Sequence, residues 1–203
     1  MKYLFALLAV LLFATTTNVM AITIGDASFE DISVAPNSFL YSPTSSDWTF
    51  STLAGVIDPF SAFGSPEAPD GEQFAFIQDS SYFEQSISFA EMGNYTISYF
   101  EAGRFVAPNP SIGGNLDYNV SIDGTIIHSD STTSNQSFIS VTSSVFSVTA
   151  GSHLLKFEGT TLTDDTGFFD SISINPIPEP TTMLLLGSGL IGLAGFRRKF
   201  RKG

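Results

Sequence analysis

Residues 94–100 read NYTISYF and residues 118–129 read YNVSIDGTIIHS. The first stretch sets Tyr95, Ile97 and Tyr99 on one side of an extended chain and Thr96, Ser98 and Phe100 on the other, the period of two that a strand imposes on its side chains. The second alternates through Val120 and Ile122 into Asp123-Gly124, a dipeptide suited to the positive φ angles of a two-residue hairpin turn. Both predict antiparallel β structure.

The same alternation recurs outward from these two runs, at EQFAFIQ (72–78), YFEQSISF (82–89), SSVFSVTAGSHLLKFEG (143–159) and GFFDSISI (167–174). Ala150-Gly151 predicts a second hairpin turn. Two stretches rich in Pro, Ser and Gly, VAPNSFLYSPTSSDWTF (34–50) and DPFSAFGSPEAPDGEQ (58–73), read as long connections. With about eight such strands, no internal repeat and no linker between Ile22 and Asn175, the sequence predicts one all-β domain, a jelly-roll β-sandwich.

Charge is distributed unevenly. Of 203 residues, 20 are acidic and 8 basic. The basic ones are Lys2, a C-terminal group of Arg197, Arg198, Lys199, Arg201 and Lys202, and only Arg104 and Lys156 between them. A surface this anionic repels phosphate backbones, which argues against nucleic-acid binding. There is no cysteine, so neither disulfides nor thiolate zinc sites enter, and the two histidines form no close pair. Abundant carboxylates suit calcium instead.

Both ends carry signals. Lys2, the apolar run Tyr3–Phe13 and small residues closing on Ala21 fit an N-terminal signal peptide over residues 1–21, cleaved after Ala21. At the other end Pro178-Glu179-Pro180 precedes a nearly apolar run, residues 181–196, and then the basic knot. A run of about 16 residues makes a helix of roughly 24 Å, short for a permanent span. The knot would stay cytoplasmic and leave the acidic domain across the membrane. Gly187-Ser188-Gly189-Leu190-Ile191-Gly192 matches G-x-G-x-x-G, but no strand precedes it, so no nucleotide site follows.

These three tail elements, in this order over residues 176–203, resemble the PEP-CTERM sorting signal of exported bacterial proteins. The resemblance implies transient membrane insertion, processing near Pro178, Glu179 and Pro180 by an exosortase, and delivery to the cell surface or extracellular matrix of a Gram-negative bacterium. A plain tail anchor is the alternative. Between the signals, GDASFED (25–31), APDGEQFAFI (68–77), FEQSISF (83–89), YTISYFEAGR (95–104), YNVSIDG (118–124), VTAGSHLLKFEG (148–159) and TDDTGFFDSISI (163–174) resemble the galactose-binding-like jelly roll of carbohydrate-binding modules. That likeness implies binding or organising extracellular polysaccharide without catalysis. A structural matrix or adhesion protein with no sugar pocket, or a glycan-active enzyme using a pair such as Glu84 and Glu101, are the other classes.

Candidate residues follow from chemistry. Arg104 stands where YFEAGR leaves a strand, and its guanidinium either hydrogen-bonds a sugar or uronate or pairs with an acid such as Glu101. Trp48, Tyr41, Phe105 and Tyr118 are the aromatic faces on which sugar rings could stack. Related jelly rolls often hold a structural calcium between first and last strands, which implies Asp26, Glu30 and Asp170 here. Alternation places Phe168, Asp170, Ile172 and Ile174 on one face, so the carboxylate would point with apolar residues, costly unless paired or bound to a metal.

Overall fold

The computed structural model describes residues 22–105, 113, 115–177, 187 and 189. Its strands, in chain order, are β1 (Phe39–Tyr41), β2 (Thr49–Phe50), β3 (Ala54–Ile57), β4 (Phe74–Gln78), β5 (Tyr82–Phe89), β6 (Gly93–Gly103), β7 (Asp117–Ile122), β8 (Thr125–Ser131), β9 (Ile139–Thr142), β10 (Phe146–Val148), β11 (Gly151–Gly159) and β12 (Thr166–Pro176). The alternating runs all become strands. The structure has more strands than the sequence suggests, adding β1 and β2 within the 34–50 stretch, β3 between the two loop-rich stretches, and β9.

One sheet has the order β1-β3-β4-β12-β6-β10, with β9 also on β6; the other is β2-β5-β11-β7-β8. The two close on each other as a jelly-roll β-sandwich. Inward side chains follow the period of two: Ala75 and Ile77 from β4, Tyr95, Ile97 and Tyr99 from β6, Phe83, Ile87 and Phe89 from β5, Tyr118 and Val120 from β7. Phe169 is the hub, with its ring 5.8 Å from Phe83, 5.5 Å from Phe157 and 4.9 Å from Tyr118. Each such fully buried ring contributes on the order of 2–3 kcal/mol.

A second apolar layer lies on the opposite, outer face of the seven-stranded sheet. Ile57, Phe74, Phe76, Ala102 and Phe168 are buried there under Phe63, Ala68, Phe39 and Phe138. Phe63 and Ala68 belong to the 58–73 connection, so that loop is a lid over this apolar layer.

Asp123 and Gly124 have φ angles of 49° and 77°, the two positive values of a type I′ turn, and β7 pairs with β8 as the sequence predicts. Ala150-Gly151 is different. β10 belongs to the seven-stranded sheet and β11 to the other, so the chain changes sheets here and no hairpin forms.

β12 also corrects the expected face. Its register on β6 shifts between Asp170 and Ser173, and Ser171 sits at φ 51°, a β-bulge that resets side-chain parity. Phe168 and Asp170 therefore lie on the outer side, and Ile172 and Ile174 rejoin the inner core. The carboxylate is buried, but under the lid.

β12 spans the domain. It starts beside Gln78 and Gly103 and ends beside Tyr95, and its 11 residues cover roughly 35 Å. Ile22 bridges to Ile174 near its far end. The described chain thus enters and leaves the sandwich at one end.

Candidate functional site

At the start of β12, on the outer face of the seven-stranded sheet, polar and aromatic side chains from four segments meet. β4 alternates Phe74, Phe76, Gln78 outward, β6 continues through Ala102 to Arg104, and edge strand β1 brings Phe39 and Tyr41. The Tyr41 hydroxyl donates to Gln78 Oε1 at 2.6 Å. Gln78 Nε2 in turn donates to Asp164 Oδ1, and Arg104 Nη1 lies 3.7 Å from that oxygen. The guanidinium covers the Phe63 ring at 5.0 Å. Tyr41, Gln78, Asp164 and Arg104 form one chain across the face.

Two exposed aromatic side chains accompany it, Tyr41 within the group and Phe105 next to Arg104 along the chain. Tyr41 is 39% exposed and Phe105 40% exposed. The Phe105 backbone is fixed to the lid, with its N–H donating to Gly64 O at 3.0 Å. Gly64 has φ 63°, and a Cβ there would meet Phe105 O at 2.6 Å, so glycine is required for this approach. Burial, then the charges of Asp164 and Asp79, push the Tyr41 hydroxyl pKa up, with Arg104 opposing them. The local potential is negative.

Of the five residues that the sequence offers for ligand binding, Tyr41 and Arg104 come together here, and Phe105 follows Arg104 in the chain with its backbone held by Gly64. Trp48 and Tyr118 do not. Trp48 is buried, its ring 5.2 Å from those of Phe29 and Phe83, and its Nε1–H donates to Asp26 O at 2.9 Å. Tyr118 lies in the inner core. Glu101 is not the partner of Arg104; it points into the sandwich, where Tyr118 donates its hydroxyl to Glu101 Oε2 and lies 2.7 Å from the Tyr99 hydroxyl. Burial raises the Glu101 pKa despite that hydrogen bond. Glu84 is on β5 among residues that alternate away from the core, so the two carboxylates face different spaces.

Gln78, Asp164 and Phe63 were missed from sequence. Alternation from Phe74 and Phe76 carries Gln78 outward and would have flagged it; nothing local marks Asp164 or Phe63, which reach the site from loops.

The three acids with a calcium expectation are separately placed. Asp26 closes a turn, its Oδ1 accepting from Glu30 N–H at 2.6 Å and Asp31 N–H at 3.2 Å. Glu30 Oε1 accepts from the N–H groups of Glu72 and Gln73, each at 2.7 Å. Asp170 is fully buried; its Oδ2 accepts from Asp70 N–H at 3.1 Å and its Oδ1 from Ser171 N–H at 2.7 Å. Burial lifts the Asp170 carboxyl to about 7, and the charges of Asp70 and Glu30 add to this. Its electrostatic neighbours are therefore Glu30 and Asp70 rather than Asp26. Among the described residues no three acidic or histidine side chains converge as a ready-made metal cage. Asp170 on β12 and Glu30 both accept backbone N–H groups from residues 70–73, so two carboxylates, the ligand type that calcium takes, flank one segment.

Ala21, Pro178, Glu179 and Pro180 lie outside the described residues. No helix among the described residues is long and apolar enough to cross a membrane. Comparison with protein families decides the tail: residues 176–199 match the PEP-CTERM protein-sorting motif. The chain carries an export and sorting tag. It is thus an exported protein sorted to the cell envelope.

No curated protein resembles the chain in sequence. In fold, it is similar to a cyclase from Fischerella sp. TAU in complex with 4-(1H-indol-3-yl)butan-2-one, at 18% identity and TM-score 0.58, over 80% of this chain and 100% of that one. An apo cyclase from Fischerella sp. is similar at 17% identity and TM-score 0.57, over 79% and 98%. A family 35 carbohydrate-binding module from Clostridium thermocellum is similar at 13% identity and TM-score 0.43, over 65% and 100%. The likeness to the two cyclases shows the fold alone and leaves its chemistry to the residues.

Proposed function

We propose that this protein is a non-catalytic polysaccharide-binding module, processed at its tail by an exosortase and held at the cell surface or in the extracellular matrix of a Gram-negative bacterium. The observation that carries the binding reading is the group at the start of β12: two half-exposed rings, Tyr41 and Phe105, beside the chain of Gln78, Asp164 and Arg104. Sugar rings present C–H faces and rims of hydroxyls, and recognition needs an apolar platform with amides and carboxylates at its edge. Those elements are present together. The sorting motif supplies the setting, since it directs the protein to where extracellular polymers are.

The geometry also favours display. The group lies at the start of β12, and the sorting motif begins where β12 ends. A chain held by its tail would therefore present the site away from the membrane. The acid at the site, Asp164, accepts a hydrogen bond from Gln78 and forms an ion pair with Arg104, which fits holding a sugar better than attacking one.

The proposal includes a structural calcium held by Glu30 and Asp170. When bound, the cation would supply the positive charge that the buried Asp170 carboxylate lacks, and these side chains would pin the lid loop to β12. Affinity electrophoresis of the purified protein through gels containing soluble galactan, xylan or mannan tests the binding reading. Retardation in at least one gel, lost in Tyr41→Ala, is expected; unretarded migration in all of them would refute it.

A further inference from the structure

We infer that the polymer bound at this site is uncharged, and that acidic polysaccharides are excluded from it. The inference rests on the binding reading above and narrows it to a ligand class. Between the two terminal signals the chain has 19 acidic residues against Arg104 and Lys156, so the whole sandwich repels a polyanion.

A single guanidinium could still select a uronate locally if it were free to form a two-pronged ion pair. Arg104 is not free. Its side chain is only 15% exposed, faces Asp164 at 3.7 Å and lies on the Phe63 ring at 5.0 Å. Lys156 is occupied elsewhere, its ammonium 2.7 Å from Glu158 and 4.1 Å from the centre of the Tyr82 ring. It is on β11, in the other sheet. Neither charge is available to a ligand carboxylate.

What the site offers instead is acceptors. Asp164 is 56% exposed at its side chain, the carboxylate of the group that a ligand can reach. The charges of Asp164 and Asp79 both raise the Tyr41 pKa, so both are close enough to set the field at the platform. Sugar hydroxyls can donate to such oxygens, whereas a uronate would bring a second negative charge to them. A carboxylate within about 6 Å of another is disfavoured by one or more kcal/mol at the effective dielectric of a protein surface. Hydroxyl-rich neutral chains meet no such penalty.

The test compares galactan, xylan and mannan with polygalacturonate and alginate by titration calorimetry. It is run in chelator, so that calcium cannot bridge two polyanions, with the fold checked by circular dichroism. Expected are binding of a neutral polymer that changes little between about 20 mM and 500 mM salt, and no binding of either polyuronate. Asp164→Asn removes the charge that neutralises Arg104, and it should admit polyuronate in a salt-sensitive manner. Tyr41→Ala should weaken the neutral polymer about tenfold. Polyuronate binding by the unaltered protein in chelator would overturn the inference while leaving the binding reading intact. Binding of no polymer, either in chelator or by the neutral polymers in millimolar calcium, would overturn both.

Discussion

The backbone N–H of Asp70 donates to Asp170 Oδ2 at 3.1 Å, fastening the lid loop to a fully buried carboxylate on the last strand. Backbone N–H groups offset only part of the cost of burying that charge, so folded Asp170 titrates at about 7 instead of 3.8. Between those values the folded state holds a proton that the unfolded chain has released. The stability this group contributes is whole below the unfolded value and is lost as pH rises through the folded one.

Urea unfolding in chelator should therefore show stability falling from about pH 5 to pH 8, with Asp170 accounting for at most about 4 kcal/mol over its full range. Asp170→Asn should flatten that part of the slope. Calcium favours the ionised form, so at about a hundred times its dissociation constant it should restore roughly 2.7 kcal/mol at pH 8 and less at pH 5. Identical melting temperatures in millimolar calcium and in chelator at pH 8 would rule out the calcium site.

Inside the sandwich, Tyr118 is the donor that Glu101 depends on. Tyr118→Phe should destabilise the protein by about 1–3 kcal/mol at neutral pH, because it strands a buried acceptor. Glu101→Gln, which keeps shape and removes the charge, should cost less. Denaturant melts of both variants check the order, and a larger loss for Glu101→Gln would contradict the assignment of Tyr118 as donor.

Legibility from the sequence followed distance along the chain. Alternation at Tyr95, Ile97 and Tyr99 and the Asp123-Gly124 turn are local signals, and the structure keeps both. Ala150-Gly151 looked like a hairpin because a turn dipeptide does not say which sheet the next strand joins. The Asp170 face was misjudged because a bulge at Ser171 leaves no trace in the hydrophobic pattern. Trp48 and Tyr118 are candidate platforms by residue type alone; Tyr118 stands between Asp117 and Asn119 and shares the parity of Val120 and Ile122, so alternation turns it inward with them. Arg104 was picked out by its rarity, but its partner Asp164 comes from a loop whose approach no spacing encodes.

Gly55 on β3 faces Tyr41 on β1, and a Cβ on Gly55 would collide with the backbone oxygen of Leu40. Gly55→Ala should thus push edge strand β1 outward and displace Tyr41 while the inner core persists. Loss of polysaccharide retardation with near-normal circular dichroism is expected. Full retention of binding would show that β1 is not part of the site.

Sorting and binding should be separable, because they lie at opposite ends of β12. In the native host, Tyr41→Ala should be processed as the unaltered protein is, its intact mass differing only by the substitution and so giving the same two ends. Accumulation of a chain that retains residues 183–203 only in the variant would contradict that separation.

The central claim is that the face formed by Tyr41, Gln78, Asp164, Arg104 and Phe105 holds a polysaccharide. Backbone amide NMR during titration with oligosaccharides of a retained polymer tests it most directly. Saturable shifts should concentrate on these five residues and spare Met92 and Glu91 at the tail end. Shifts confined to other surfaces, or none at concentrations that saturate binding, would contradict the claim.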